Sequence, residues 1–360
     1  MIPRLFEKNE TTFTSYGICP LTDAVSCIVT EERNGEYVLD LEYPRDGQWA
    51  EELTADRIIL AQPYDNAAQA EPFRITEIGW NMLGNVVVHA EHIGYQLNNI
   101  IVGKFNSYTR YPSKAWDNAN DHLIGTSPFS FWTDIDDEND PVLQFKTDEA
   151  TTLRKMLGGQ EGSILDNYGG EVEWNRYTVK LWKSRGADNG VKIAYTKNLT
   201  GLTYSIDLSG VYTGVVAFWS DGNDYCESTL QTSVHSYAFD RNIVVDASSA
   251  FSNYADAQAG IDAWAATYLA ANAPDPAVSV DVEFVPLWQT EEYKEYYGLE
   301  HVALCDTVTV LYPPLNLSIK AKVVKTEYNV LADRYESITV SSVRSSLADT
   351  IFTMMKEIEK

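Results

Sequence analysis

Between Gly169 and Leu202 the chain reads GGEVEWNRYTVKLWKSRGADNGVKIAYTKNLTGL. Val172 and Trp174 alternate with polar residues, as do Tyr177, Val179 and Leu181, and then Val191, Ile193 and Tyr195. Period-two alternation marks a half-buried strand, because successive side chains point to opposite faces. Asn175-Arg176 leaves room for a tight turn, and Arg185 to Gly190 for a longer one with glycines where a positive φ is needed. The pattern predicts a β-meander whose Lys180, Lys183, Arg185 and Lys192 occupy a solvated face and turn.

The same alternation runs through residues 13 to 103. CIVTEERNGEYVLDLEYP predicts a hairpin turning at Asn34-Gly35, with Tyr37, Leu39 and Leu41 on one face. WAEELTADRIIL predicts a short helix or ordered loop and then a strand. EPFRITEIGWNMLGNVVVHAEHIGYQL predicts a second hairpin. Strands of this length and spacing suit a small antiparallel barrel or sandwich. From Lys104 the pattern becomes mixed. SKAWDNANDHLI reads as a short helix, and TDEATTLRKMLGG as a helix capped by Thr147 or Asp148 and ended by Gly158-Gly159. SNYADAQAGIDAWAATYLAANAP is the clearest helix: Ser252 can cap it, and Tyr254, Ala257, Ile261, Trp264, Ala265, Tyr268 and Leu269 form one stripe. Strands return after Ala277, and Leu347, Ile351, Met354, Met355 and Ile358 repeat at helical spacing at the end.

These patterns divide the chain into a first β-barrel domain (1–103), an α+β domain (104–200), a second β-barrel domain (201–240 with 299–345), a helical or mixed insertion (241–298) and a C-terminal helix (346–360). The fold class is β-rich α+β. A length of 360 residues exceeds one ordinary core. The net charge of −25 argues against an adhesive nucleic-acid binder, which needs basic surface to displace counterions, while an acidic wall would let DNA pass without sticking. The N-terminus carries no apolar signal region and no window reaches a membrane-spanning run, so no membrane anchor is expected and synthesis in a cytoplasm is. Cys19, Cys27, Cys226 and Cys305 include no C-x-x-C and read as buried free thiols, although Cys19 and Cys27 could approach across a hairpin.

Candidate chemistry is sparse. His89 and His92 would suit a metal on a helix, but NVVV before them makes this a strand, where positions three apart face opposite sides. DIDDENDP, from Asp134 to Pro141, has Asn139 where a calcium loop needs Gly and Phe145 where it needs Glu. GGQEG lacks the strand and the Lys-Ser/Thr of a phosphate loop. No G-x-S-x-G, H-E-x-x-H or C-G-x-C-W context supports a nucleophile. EEYKEYYG could stack on sugars, with sheet packing or subunit contact as the plainer use. No catalytic, cofactor or metal residue is assigned.

Four stretches carry a resemblance: LTDAVSCIVTEERNGEYVLDLEYP, EPFRITEIGWNMLGNVVVHAEHIGYQL, EGSILDNYGGEVEWNRYTVKLWKSRGADNGVKIAYTKNL and HVALCDTVTVLY. Together they resemble the tail-tip hub family of long-tailed phages, also known as the prophage endopeptidase tail or tail-associated lysin N-terminal family, over residues 17 to 345. The third is the most specific, joining G-S-I-L-D to E-V-E-W and R-G-x-D-x-G-V-x-I-x-Y-x-K-N-L. Cys305 and Thr196 depart from the pattern, standing where the family tends to have Gly.

The resemblance implies a baseplate-hub-like fold, with two small antiparallel β-barrels beside mixed domains in each subunit. Three subunits would present six barrels to a sixfold tail tube. It implies a structural role at the virion tail tip, as a homotrimer contacting the distal tail ring protein, the tape-measure protein and receptor-binding or fibre proteins, with DNA only in transit. Ile351, Met355 and Ile358 are the candidate subunit contact. Many members continue into a peptidoglycan-cleaving domain; here the sequence stops at Lys360, either because this member lacks the enzyme or because the chain has been cut, and on the residues present no enzyme and no cofactor are expected. The alternatives are a tail-associated peptidase or cell-wall hydrolase, and a carbohydrate-binding β-module.

Overall fold

The turn at Asn34-Gly35 forms as its residues require: Asn34 takes φ 58°, a left-handed conformation that Asn tolerates better than most residues. In the computed structural model that shows this, residues 1–342 are described, apart from 66, 136–137, 139–140, 196, 235–236, 274–276, 285, 290–291, 293–294, 296–300 and 316. The expected C-terminal helix, with Ile351, Met355 and Ile358, therefore lies outside the described residues, as does Thr196.

Seven strands precede residue 100: β1 (Arg4–Phe6), β2 (Cys19–Pro20), β3 (Ser26–Glu32), β4 (Tyr37–Tyr43), β5 (Ile58–Ala61), β6 (Glu71–Trp80) and β7 (Val86–His92). They lie in the order β2-β1-β5-β6-β7-β4-β3, every neighbour antiparallel. The inward positions Leu39, Leu41, Phe73, Ile75, Val88 and Ala90 are almost fully buried. Beyond β3 the sheet takes in the end of the chain. Lys325 to Asn329, the second half of the 13-residue strand Leu317–Asn329, pair antiparallel with β3. The first half pairs with Thr307–Tyr312, which Lys192–Ala194 joins in parallel. The resulting sheet has 13 strands, and its path does not return on itself among the described residues. The protein is thus β-rich with few helices.

The meander expected from Gly169 to Leu202 is divided. Glu171–Asn175 and Thr178–Trp182 form the antiparallel hairpin, with Arg176 in the turn at φ 52°. Ser130–Thr133 adds to it in parallel, whereas Lys192–Ala194 leaves for the large sheet. Around the hairpin, Phe105, Trp116, Phe145, Met156, Ile164, Val179 and Leu181 make the core of the mixed region. The helix Pro112–Asp121 buries Ala115, Trp116 and Ala119, a spacing of one helical face. Leu153–Leu157 starts one turn later than expected: Thr152, not Thr147 or Asp148, accepts a hydrogen bond from the Lys155 amide at 3.3 Å.

Contacts divide the chain into two units, one of Met1–Leu202 with Val282–Ser341, the other containing Thr203–Asp281. In the second, Gly214–Ser220 pairs antiparallel with Tyr225–Glu227 and Gln231–Thr232, and in parallel with Asn242–Asp246. The helix Tyr254–Asn272 lays Ala257, Ile261, Ala265 and Leu269 against Val215, Ala217 and Trp219. Its cap is Asn253, whose side chain accepts from the Asp256 amide at 3.0 Å, rather than Ser252. Of the strands that the sequence groups over 201–240 and 299–345, Leu199–Asp207, Thr307–Tyr312 and Leu317–Asn329 belong to the large sheet, while those from Gly214 to Thr232 share a four-stranded sheet with Asn242–Asp246.

A cluster of charges ties the first unit together. The Glu171 carboxylate accepts from Lys322 Nζ at 2.7 and 2.8 Å, from Arg33 Nη1 at 3.2 Å and from the Arg185 amide at 2.6 Å. Arg185 in turn donates to Glu31 at 2.8 Å, and both side chains are largely buried. Arg185 was expected on a solvated turn; the strands folding over it bring Glu31 close enough to compensate its charge. Next to it the backbone is packed tightly: Gly186 has φ 81°, and a Cβ there would lie 2.4 Å from the Cys305 carbonyl. Cys305 itself has φ 71°, a region that favours glycine.

Replacing Glu171 with Ala leaves Lys322 buried without its anion, a change that costs about 3–5 kcal/mol. Urea unfolding should show that loss, and the double variant Glu171→Ala/Lys322→Met should recover part of it. Equal stability of wild type and Glu171→Ala would contradict the role given to this carboxylate.

Candidate functional site

The β6–β7 hairpin places the histidines apart. His92 is buried: its Nδ1 accepts from the Gly94 amide at 3.1 Å, which leaves Nε2 to donate to Glu71 at 3.1 Å. Tyr37 stacks on its ring at 4.6 Å. His89 faces the other side of the strand and meets Asp40 at 2.7 Å. Glu71 is already engaged, since its carboxylate also accepts the Arg176 amide at 2.7 Å. Among the described residues no group of three or more His, Cys, Asp or Glu is placed to hold a metal ion.

The four cysteines are free thiols, with Cys19, Cys27 and Cys305 buried, so Cys19 and Cys27 form no disulfide. Burial pushes the Cys305 thiol up to about 12 and raises Cys27 and Cys19 as well. A thiol kept protonated is neither a nucleophile nor a metal ligand. The acidic stretch from Asp134 falls partly outside the described residues; Asp134 itself accepts the Lys183 amide at 2.6 Å. The tyrosines of EEYKEYYG lie outside them altogether.

What the hairpin does offer is surface. β6 outruns its neighbour: Glu71 to Arg74 pair with β5, whereas Glu77 to Trp80 pair only with β7 among the described strands. At the tip Trp80, Met82 and Leu83 are exposed, and Arg45 lies over the Trp80 ring at 5.1 Å. The tip is rigidly built. Asn81 Oδ1 accepts from the Leu83 and Asn85 amides, both at 3.0 Å, and Asn85 Nδ2 donates to Glu42 at 2.7 Å. A bare strand edge beside an ordered apolar knob can receive another strand or an apolar partner surface. Sequence reasoning took WNMLGN as the inside of a hairpin and passed over Met82-Leu83. The available signal was two large apolar residues in a turn, where polar ones are usual.

Residues 187–351 match the model of the family described as prophage endopeptidase tail. Solved phage tail structures share the fold. The prophage tail protein gp18 from Listeria monocytogenes EGD-e aligns over 100% of both chains with a TM-score of 0.57 at 14% identity. The 43 kDa tail protein of prophage MuSo2 from Shewanella oneidensis aligns over 89% of this chain and 94% of its own, with a TM-score of 0.56 at 9% identity. A tail protein from Neisseria meningitidis MC58 covers 96% and 97%, with a TM-score of 0.56 at 10% identity. No curated protein matches the sequence. The family description mentions an endopeptidase; among the described residues the buried thiols of Cys19, Cys27 and Cys305 stay protonated, and His89 and His92 are engaged by Asp40 and Glu71. No helix of the described chain is long and apolar enough to cross a membrane, which leaves strands out of account.

Because Met82 and Leu83 pack against nothing, replacing both with Ser should change stability by no more than about 0.5 kcal/mol. Thermal melting should coincide with wild type, while binding of a hydrophobic dye to the folded protein falls. A melting point many degrees lower would show that the tip is part of a core.

Proposed function

We propose that three copies of this chain form a hub at the tip of a phage tail, joining the tail tube to the distal host-recognition parts and framing the exit path for DNA. The observation that carries this reading is the lengthwise likeness to tail proteins, with the family match in the second half of the chain. In this reading each subunit supplies two small antiparallel β-barrels, so that three subunits meet a sixfold tube. The long strand Leu317–Asn329, paired with separate strands along its two halves, supports such a doubled module. The neighbours are the distal tail ring protein, the tape-measure protein and receptor-binding or fibre proteins. The role is structural, and the acidic balance favours passage of DNA over its retention. The reading as a tail-associated peptidase or cell-wall hydrolase has only the wording of the family description in its favour.

Cryo-electron microscopy of purified particles tests this directly. Three copies surrounding the axis at the tube's distal end are expected; the chain found elsewhere in the particle, or in another number, would overturn it.

A second expectation concerns the free chain. Tripling −25 gives a ring of −75, and repulsion acts within a Debye length of about 10 Å at 0.1 M salt. Trimer content measured by light scattering should therefore rise with salt. A fall would mean that ion pairs hold the ring.

A further inference from the structure

Among the described residues the Arg154 side chain forms no ion pair. Arg154, on the helix Leu153–Leu157, faces a cleft of about 200 Å³ lined also by Glu31, Glu32, Asn34, Leu157, Leu165 and Trp174. Its guanidinium carbon lies 5.5 Å from the centroid of the Trp174 ring and 5.8 Å from that of Tyr95. These contacts use the face of the cation and leave its N–H donors unspent. Among the described residues no acceptor takes a hydrogen bond from the side chain, and burial lowers its pKa below the usual arginine value. The carboxylates in the cleft are already committed, Glu31 to Arg185 at 2.8 Å and Glu32 to Lys325 at 3.1 Å. Arg154 is the one cation of the cleft's lining, and it forms no ion pair with either of the two carboxylates there.

The aromatic support is itself fixed. Trp174 lies against the backbone at Gly94, where a Cβ would come within 2.6 Å of the indole. The Tyr95 hydroxyl accepts the Tyr37 amide at 3.3 Å. An arginine held in place by rings, lining a cleft with its N–H donors unspent, is prepared for a planar acceptor.

We propose that this cleft is a carboxylate-binding site, taking an acidic side chain or a free chain terminus from a partner polypeptide. The charge count selects a monoanion. A single guanidinium balances one negative charge, whereas a phosphate dianion would also meet Glu31 and Glu32 across the same small space. The planar, two-oxygen carboxylate matches the paired N–H donors of a guanidinium edge. The proposal is independent of the hub reading, because it concerns the chemistry of the cleft wherever the chain resides.

The test titrates the full chain at low ionic strength with sodium acetate, capped glutamate amide, acetyl-glycylglycine and inorganic phosphate, following the Trp174 indole N–H by NMR. Acetate is expected to saturate with a dissociation constant on the order of 1 mM. Arg154→Met, which keeps the stem against the rings, should weaken binding at least tenfold, and Arg154→Lys should fall between. Capped glutamate offers only a side-chain carboxylate and acetyl-glycylglycine only a terminal one, so the tighter of the two names the source. Folding of each variant is checked by thermal melting, which acetate should raise in wild type and leave unchanged in Arg154→Met. Unaltered binding in Arg154→Met, no saturable response to any carboxylate, or phosphate binding more tightly than acetate would each overturn the proposal.

Discussion

A single carboxylate, that of Glu171, holds together parts of the first unit that are far apart in sequence. It is flanked by Arg33 from the turn after β3, by Lys322 from the strand Leu317–Asn329 and by the backbone of Arg185. Apolar burial drives the sheet and the mixed region to form, but burial is non-directional and would tolerate a shifted arrangement. A buried ion cluster does not tolerate one, because displacing any member leaves a charge without its partner in a poor dielectric. The ions therefore contribute position more than net stability, and Gly186 against the Cys305 carbonyl records how closely the strands are drawn in.

The same logic runs through the smaller polar contacts. Glu71 collects the His92 ring and the Arg176 amide, linking β6 and β7 to the turn of the 171–182 hairpin. Asp306 accepts the amides of Ala187 and Ala303 at 2.7 and 2.8 Å, fixing the loop that runs beside Cys305. The buried carboxylates of Glu71, Glu171 and Asp306 are used to join segments. That suits a protein whose task, in the reading proposed above, is to keep shape under load.

How much of this was legible follows from distance along the chain. Hairpins closed by local turns were readable, since the alternation at 37–41 and the Asn34-Gly35 turn decide each other within a few residues. The helices at 112–121 and 254–272 were readable from spacing, although the caps of 254–272 and 153–157 were misplaced by a residue and by a turn. Nothing local could show that Arg185 faces Glu31, 154 positions away, or that Lys192–Ala194 would pair in parallel with Thr307–Tyr312. A lysine or arginine on an alternating strand reads as solvated until the sheet that covers it is known. The exposed Met82-Leu83 pair was visible but unremarked, and Arg154 gave no signal, because its lack of an anion exists only in three dimensions.

The strand Leu317–Asn329 also sets a timetable. β3 and β4 emerge from the ribosome early, but the outer edge of β3 stays open until Lys325 to Asn329 arrive to cover it. At about 5–20 residues per second the wait is roughly 15 to 60 s. During that interval a nascent chain carries an unpaired edge of Cys27, Ile28 and Val29, the kind of template on which neighbouring copies on one messenger can misassemble. The alternating Thr30, Glu31 and Glu32 at the far end of that strand place negative charge on the waiting edge, a safeguard written into the residues that later become the buried joint.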